Sequence, residues 1–99
     1  MGKKLIPKDS ELYGRIDEVL HYIWDPIGIS DEPWARDEYH TYLPEVFSLI
    51  KSNSSIDKIV DYLVRIEHER MGLTPNREHA KIVAEILVAW QQRVSEENR

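Results

Sequence analysis

The apolar positions of the 99-residue chain recur at three- and four-residue steps, the period of amphipathic helices, and not at the alternate positions of strands. The first stretch carries Leu12, Ile16, Val19, Leu20 and Ile23, and Asp9 or Ser10 stands where a helix cap is expected. Pro26 disfavours helical geometry at Asp25 and has no amide to continue the ladder, so this helix is expected to stop near Trp24. Residues 25–33 combine two prolines with a glycine and show no period, which predicts a loop with Ile27 and Ile29 turned inward. The Trp24-to-Ile29 segment is expected to be an ordered plug, with the Asp25 side chain accepting backbone amides.

The second stretch, Tyr39, Leu43, Val46, Phe47 and Ile50, keeps helical phase across Pro44. The preferred reading is one helix kinked at Pro44. The alternative is a short helix over 33–41 followed by a new one with Pro44 in its first turn, where a missing amide costs little. Ser54 with Asp57 three residues on predicts a capped start for a third helix, whose stripe is Ile56, Ile59, Val60, Leu63 and Ile66 and whose end is Met71-Gly72. Thr74 as cap and Pro75 at the first position open a fourth, carrying Ala80, Val83, Ile86, Leu87, Trp90 and Val94.

The fold expected is all-α, a compact antiparallel bundle of about four helices with the second kinked or split at Pro44. One helical domain over 9–94 is flanked by tails at 1–8 and 95–99. Its core is expected to contain Leu20, Ile23, Val46, Phe47, Ile59, Leu63, Val83, Ile86, Leu87 and Trp90.

Composition narrows the functional classes. Eighteen acidic against 13 basic residues give a formal charge of -5, which argues against nucleic acid or an anionic membrane as partner. The absence of cysteine removes disulfides, thiolate zinc sites and cysteine nucleophiles, and fits a reducing compartment, so a cytoplasmic location is expected. The first residues turn polar after two apolar ones, so no signal peptide is expected, and no run is apolar enough to span a membrane.

Candidate chemistry is sparse. His21, His40, His68 and His79 fall on different predicted helices, and no pair has the i, i+4 spacing of two ligands to one ion. Glu67-His68-Glu69 would fan out around a helix, neighbours being about 100° apart, and reads as a solvated face. Acid pairs such as Asp57 with Asp61 are common in an acidic chain and identify no site. Serines 52, 54 and 55 are explained by a turn and a cap, and there is no glycine-rich phosphate loop. No catalytic residue, metal site or cofactor is expected, and the chain does not read as an enzyme.

Aromatic residues and charge are more informative. Trp24 and Trp34 bracket the Pro-Gly loop, while Trp90 is in phase with the fourth core stripe. Between residues 25 and 38 the acids Asp25, Asp31, Glu32, Asp37 and Glu38 stand against the single base Arg36, so -4 of the net -5 lies there. Tryptophan, tyrosine and arginine dominate binding hot spots, and acidic clusters steer association with basic partners. Asp31, Glu32, Trp34, Arg36, Asp37, Glu38 and Tyr39 are therefore the candidate partner-binding residues. The competing reading makes these aromatics a plug sealing one end of the bundle.

Trp24-Asp25-Pro26-Ile27-Gly28-Ile29 at the end of a first helix resembles the Trp-Asp-Pro signature of small bacterial all-helical proteins of unknown function. Residues 39–50 and the Ile66-Glu67 to Met71-Gly72-Leu73 segment extend the resemblance over most of 11–90. It implies a helical fold and bacterial origin, and it carries no catalytic residue. In general character the chain is also similar to immunity proteins, which neutralise a toxin domain by binding it. Many such domains are nucleases with basic active sites that an acidic surface can cover. The expectation is a protein-binding module, an immunity-type inhibitor of a basic bacterial toxin domain. The alternatives are a self-associating structural bundle and a small metal-dependent enzyme using Glu67, His68 and Glu69.

Overall fold

The computed structural model describes residues 6–97. Among them 75% are helical, in four helices with no strand, so the all-α bundle is the observed architecture. Helix α1 spans Pro7–Val19, α2 Leu43–Lys51, α3 Ile56–Arg65 and α4 Arg77–Glu97. The 21-residue α4 packs along both α1 and α3 and also meets α2, which makes it the axis of the bundle. A Cα radius of gyration of 13.3 Å matches the roughly 13 Å of a closed domain of this length.

Helix α1 begins earlier than expected. Pro7, with its preset φ, occupies the first turn, and the Ser10 amide already donates to the Ile6 carbonyl at 2.9 Å. Neither Asp9 nor Ser10 is the cap; the Asp9 carboxylate instead accepts from Lys51 Nζ at 2.8 Å, tying α1 to the end of α2. Of the expected tails, 7–8 and 95–97 belong to α1 and α4, and 1–5 and 98–99 lie outside the described residues.

Both α1 and α3 widen at their C-terminal ends into a π-helical turn, Leu20–Trp24 and Ile66–Arg70. The Asp25 and Met71 amides reach five residues back, to Leu20 and Ile66. A residue in a wider turn advances by less than the 100° of an α-helix, so the apolar stripe slips out of phase. This is why Ile23, expected in the core, is 39% exposed while Trp24 is buried.

The second helical region is bent at 36–39, and short 3-10 turns at Pro33–Ala35 and His40–Tyr42 lead into α2. Pro44 sits in the first turn of α2, where no amide is needed. Helix α3 is capped by Ser55, whose hydroxyl accepts the Lys58 amide at 3.2 Å, and not by Ser54. Helix α4 opens after Asn76 instead of Thr74, because the Asn76 side chain accepts the His79 amide at 3.0 Å.

The core joins Leu12, Ile16, Val19, Leu20 and Trp24 to Tyr39, Leu43, Val46 and Ile50, and these to Ile59, Leu63, Val83 and Leu87. Phe47, Ile86 and Trp90, expected inside, are half-buried against this cluster. Phe47 meets Tyr13 edge-on with ring centres 5.1 Å apart, and the Arg15 guanidinium lies 4.6 Å from the Trp90 ring centre. Among the described residues no helix is long and apolar enough to cross a membrane.

Candidate functional site

The Trp-Asp-Pro segment is the hinge between the core and the acidic surface. Asp25 takes the left-handed conformation at φ 32°, which aspartate tolerates better than most residues. Its Oδ1 accepts the amides of Gly28 at 3.1 Å and Ile29 at 2.8 Å, and its Oδ2 accepts the Ser30 amide at 3.1 Å. Gly28, at φ 79°, supplies the left-handed residue that lets the loop curl round the carboxylate. The ordered turn around Asp25 is present, but Ile27 is exposed and only Ile29 packs against the core.

Tyr39 closes this loop from below. Its hydroxyl donates to Asp25 Oδ1 at 2.8 Å and accepts the Ile27 amide at 3.0 Å. Burial pushes the Asp25 carboxyl up, but the Ile29 amide, the Tyr39 hydroxyl and Ser30 outweigh it and hold its pKa below the ordinary value. Burial, joined by the adjacent Asp25, drives the Tyr39 phenol far above its usual range, which keeps it a hydrogen-bond donor.

A second polar knot joins the two widened helix ends to the start of α4. Glu67, 3% exposed, accepts the Trp24 indole Nε1–H at 2.7 Å and the Asn76 amide at 2.9 Å. Both oxygens of this buried carboxylate are used, as burial of a charged group requires. His79 Nε2 stands 2.8 Å from the Ile23 carbonyl and 3.2 Å from that of Trp24, so this nitrogen carries a proton and satisfies the end of α1. An open cleft of about 540 Å³ lies over the knot, with Tyr22, Ile23, Thr74 and His79 on its walls. Glu67 is therefore buried, in contrast to the solvated face that the sequence predicts for it. His68 and Glu69 are exposed and do not join it.

The candidate partner-binding residues divide. Asp31, Asp37 and Glu38 are exposed, Glu32 is half-buried, and Trp34 is 81% exposed. Arg36 turns back onto the bundle: its two terminal nitrogens donate to the Asp17 carboxylate at 2.9 and 3.2 Å, and its guanidinium lies 5.4 Å from the Tyr22 ring centre. That bidentate contact with Asp17 raises the Arg36 pKa. His40 Nε2 reaches the same carboxylate at 3.0 Å. Tyr39, expected as a partly exposed anchor, is buried beside Trp24, with ring centres 5.4 Å apart. The two aromatics thus part company: Tyr39 belongs to the plug, and Trp34 stands out in solvent.

The sequence points to no role for Asn76 or Asp17, and it places neither Glu67 nor His21 in the interior. Glu67 had a signal, since it lies four residues after Leu63 and seven after Val60 on the buried stripe. His21 had none, because by helical phase it faces away from the α1 stripe and it is covered by the following segment, its ring 6.5 Å from that of Tyr39. Among the described residues no group of three or more histidine, aspartate or glutamate side chains is placed to hold a metal ion. Compared with protein-family models, curated proteins and solved structures, the chain finds no match.

Proposed function

We propose that this chain is a protein-binding module for a basic partner, acting as an immunity-type inhibitor that covers a basic bacterial toxin domain. The observation that carries the reading is Trp34, left 81% exposed on a segment that holds -4 of the net charge. Asp25 in its loop and the buried Glu67 at the helix ends are engaged in holding the fold. The exposed acids Asp31, Asp37 and Glu38 carry no such duty, and acids flanking an aromatic anchor are what a basic surface recognises.

The test is capture from a bacterial extract at low salt with two baits, the natural chain and a variant combining Asp31→Asn, Asp37→Asn, Glu38→Gln and Trp34→Ala. A basic protein retained by the first and lost from the second, whose activity the natural chain suppresses, is the expected result. Equal retention by both would remove this surface from the function. Self-association is favoured by a separate observation, the exposed Tyr22, Ile23 and Ile27 around the same loop. Sedimentation across a wide concentration range separates the readings, a constant monomer ending the second.

A further inference from the structure

Residues 30–38 are pinned at both ends to one carboxylate: the Ser30 amide donates to Asp25 Oδ2 at 3.1 Å, and the Tyr39 hydroxyl donates to Oδ1 at 2.8 Å. Ile29 before the segment packs against the core and Tyr39 after it is buried, but none of the nine residues between them is buried. We propose that residues 30–38 form a flap that lifts off α1 as one piece, latched by Arg36 on Asp17, and that His21 is the side chain it covers. The proposal concerns a motion of the free chain and stands apart from the protein-binding reading.

The backbone of the segment closes on itself. The amides of Glu32, Ala35, Arg36 and Glu38 each donate to the carbonyl three residues back, so lifting the flap breaks no backbone bond to a helix. Among the described residues, Arg36 is the only side chain of the flap with a hydrogen bond or ring contact to a helix. Its terminal nitrogens donate to Asp17 at 2.9 and 3.2 Å, and its guanidinium lies 5.4 Å from the Tyr22 ring centre. Asp17 also meets His40, which lies beyond the Tyr39 anchor, at 3.0 Å. Both members of the Arg36–Asp17 pair reach solvent, and such a pair holds only weakly.

Beneath the flap lies an unmet polar group. Ser30, Asp31, Pro33 and Arg36 face His21 and Tyr22 across a shallow cleft of about 350 Å³, and His21 is 2% exposed with its enclosed Nδ1 lacking a hydrogen-bond partner. Whichever ring nitrogen carries the proton, the closed flap leaves Nδ1 unsatisfied, and an open one admits the water that satisfies it. The closed state thus gains one partly exposed ion pair and loses one hydrogen bond, so the gap between closed and open is small. Few buried contacts, local backbone bonds and a single latch are the marks of a unit that opens without the rest of the fold. Asp31, Trp34, Asp37 and Glu38 all ride on it, so opening turns the exposed aromatic and its acids together while the turn around Asp25 stays in place.

The test is labelling of the natural chain with diethyl pyrocarbonate, which modifies accessible imidazoles, resolved by mass spectrometry at each histidine with the exposed His68 as internal standard. His21 should label more slowly than His68, at a rate that barely changes with urea below the unfolding transition, because lifting a surface flap exposes little new area. Asp17→Asn should speed labelling of His21 about fivefold, as should Arg36→Gln, and the double variant should be no faster than Asp17→Asn alone, since the two residues act as one latch. Arg93→Gln, the same change of charge at the exposed Arg93–Glu97 pair on α4, should leave the rate as it was. The urea slope separates flap opening from general loosening in each variant. Labelling of His21 that climbs with urea as steeply as loss of the fold would overturn the flap. Rates in Asp17→Asn and Arg36→Gln equal to that of the natural chain, or additive effects in the double variant, would overturn the latch.

Discussion

Asp25 works as a carboxylate, because each of its partners is a donor. Its folded pKa lies below the ordinary value of 3.8, so its stabilisation is fully present above that value and disappears as pH falls through the folded one. Asp25→Asn should therefore lower stability at neutral pH by about 1.5–3 kcal/mol, the usual worth of hydrogen bonds to a charged group, and flatten the acid limb of the stability curve. Urea unfolding at a series of acidic pH values reads both effects, and an acid limb unchanged in the variant would show that the loop does not depend on this charge. Glu67 makes a sharper case, since it is buried and accepts two donors from different parts of the chain. Glu67→Leu should leave the Trp24 indole and the Asn76 amide without acceptors at about 1–3 kcal/mol each, whereas Glu69→Leu, exposed two positions on, should stay within about 0.5 kcal/mol. Equal effects of the two substitutions would deny Glu67 its role.

At the scale of elements, the core stripe and the widened turns make opposite predictions for residues that look alike in the sequence. Leu63→Ala on α3 should cost about 2–5 kcal/mol, for the residue is fully enclosed and its loss leaves a cavity. Ile23→Ala, in the wide turn closing α1, should cost less than about 1 kcal/mol because its side chain already meets water. Equilibrium unfolding of the pair checks the phase slip directly, and an Ile23 variant as damaged as the Leu63 one would contradict it. The same slip marks how far the sequence could be read. Helical spacing identified α1 to α4 and most of their buried positions, since Ile16, Val46, Ile59 and Leu87 obey an uninterrupted 3.6-residue period. It failed at Ile23, where the period itself changed, and at His21, which a later segment of the chain covers. The caps of α3 and α4 lie one or two residues from the expected ones, at Ser55 and not Ser54 and at Asn76 and not Thr74, because several adjacent side chains can each accept a helix amide and only packing selects one, while α1 opens three or four residues earlier than expected, on Pro7. The role of Asp25 followed from turn chemistry, but the partition of Tyr39 inward and Trp34 outward did not, for both lie in a segment with no regular period. Glu67 is in phase with its stripe, but as one of three adjacent polar residues that fan out around the helix it reads as solvated.

For the whole molecule, the uneven charge has a kinetic consequence. Neutralising the exposed Asp31, Asp37 and Glu38 as amides should slow association with a basic partner while leaving thermal stability nearly unchanged, because exposed charges contribute little to folding. Added salt should slow the natural chain toward the variant, since at physiological ionic strength a field reaches only about 8 Å. Stopped-flow association rates across a salt series, run on both chains with the captured protein, measure this, and parallel lines of equal height would dismiss steering. The three tryptophans also divide the protein optically. Trp24 is enclosed and bonded to a carboxylate, Trp90 is half-covered by a guanidinium, and Trp34 stands in water. Their emission should separate accordingly, with a soluble quencher extinguishing Trp34 first and Trp34→Phe leaving a bluer, shielded spectrum. Docking at the acidic face would then protect the accessible fluorophore, while loss of the Glu67 knot would redden the enclosed one, so one cuvette reports engagement and unfolding as two distinguishable colours.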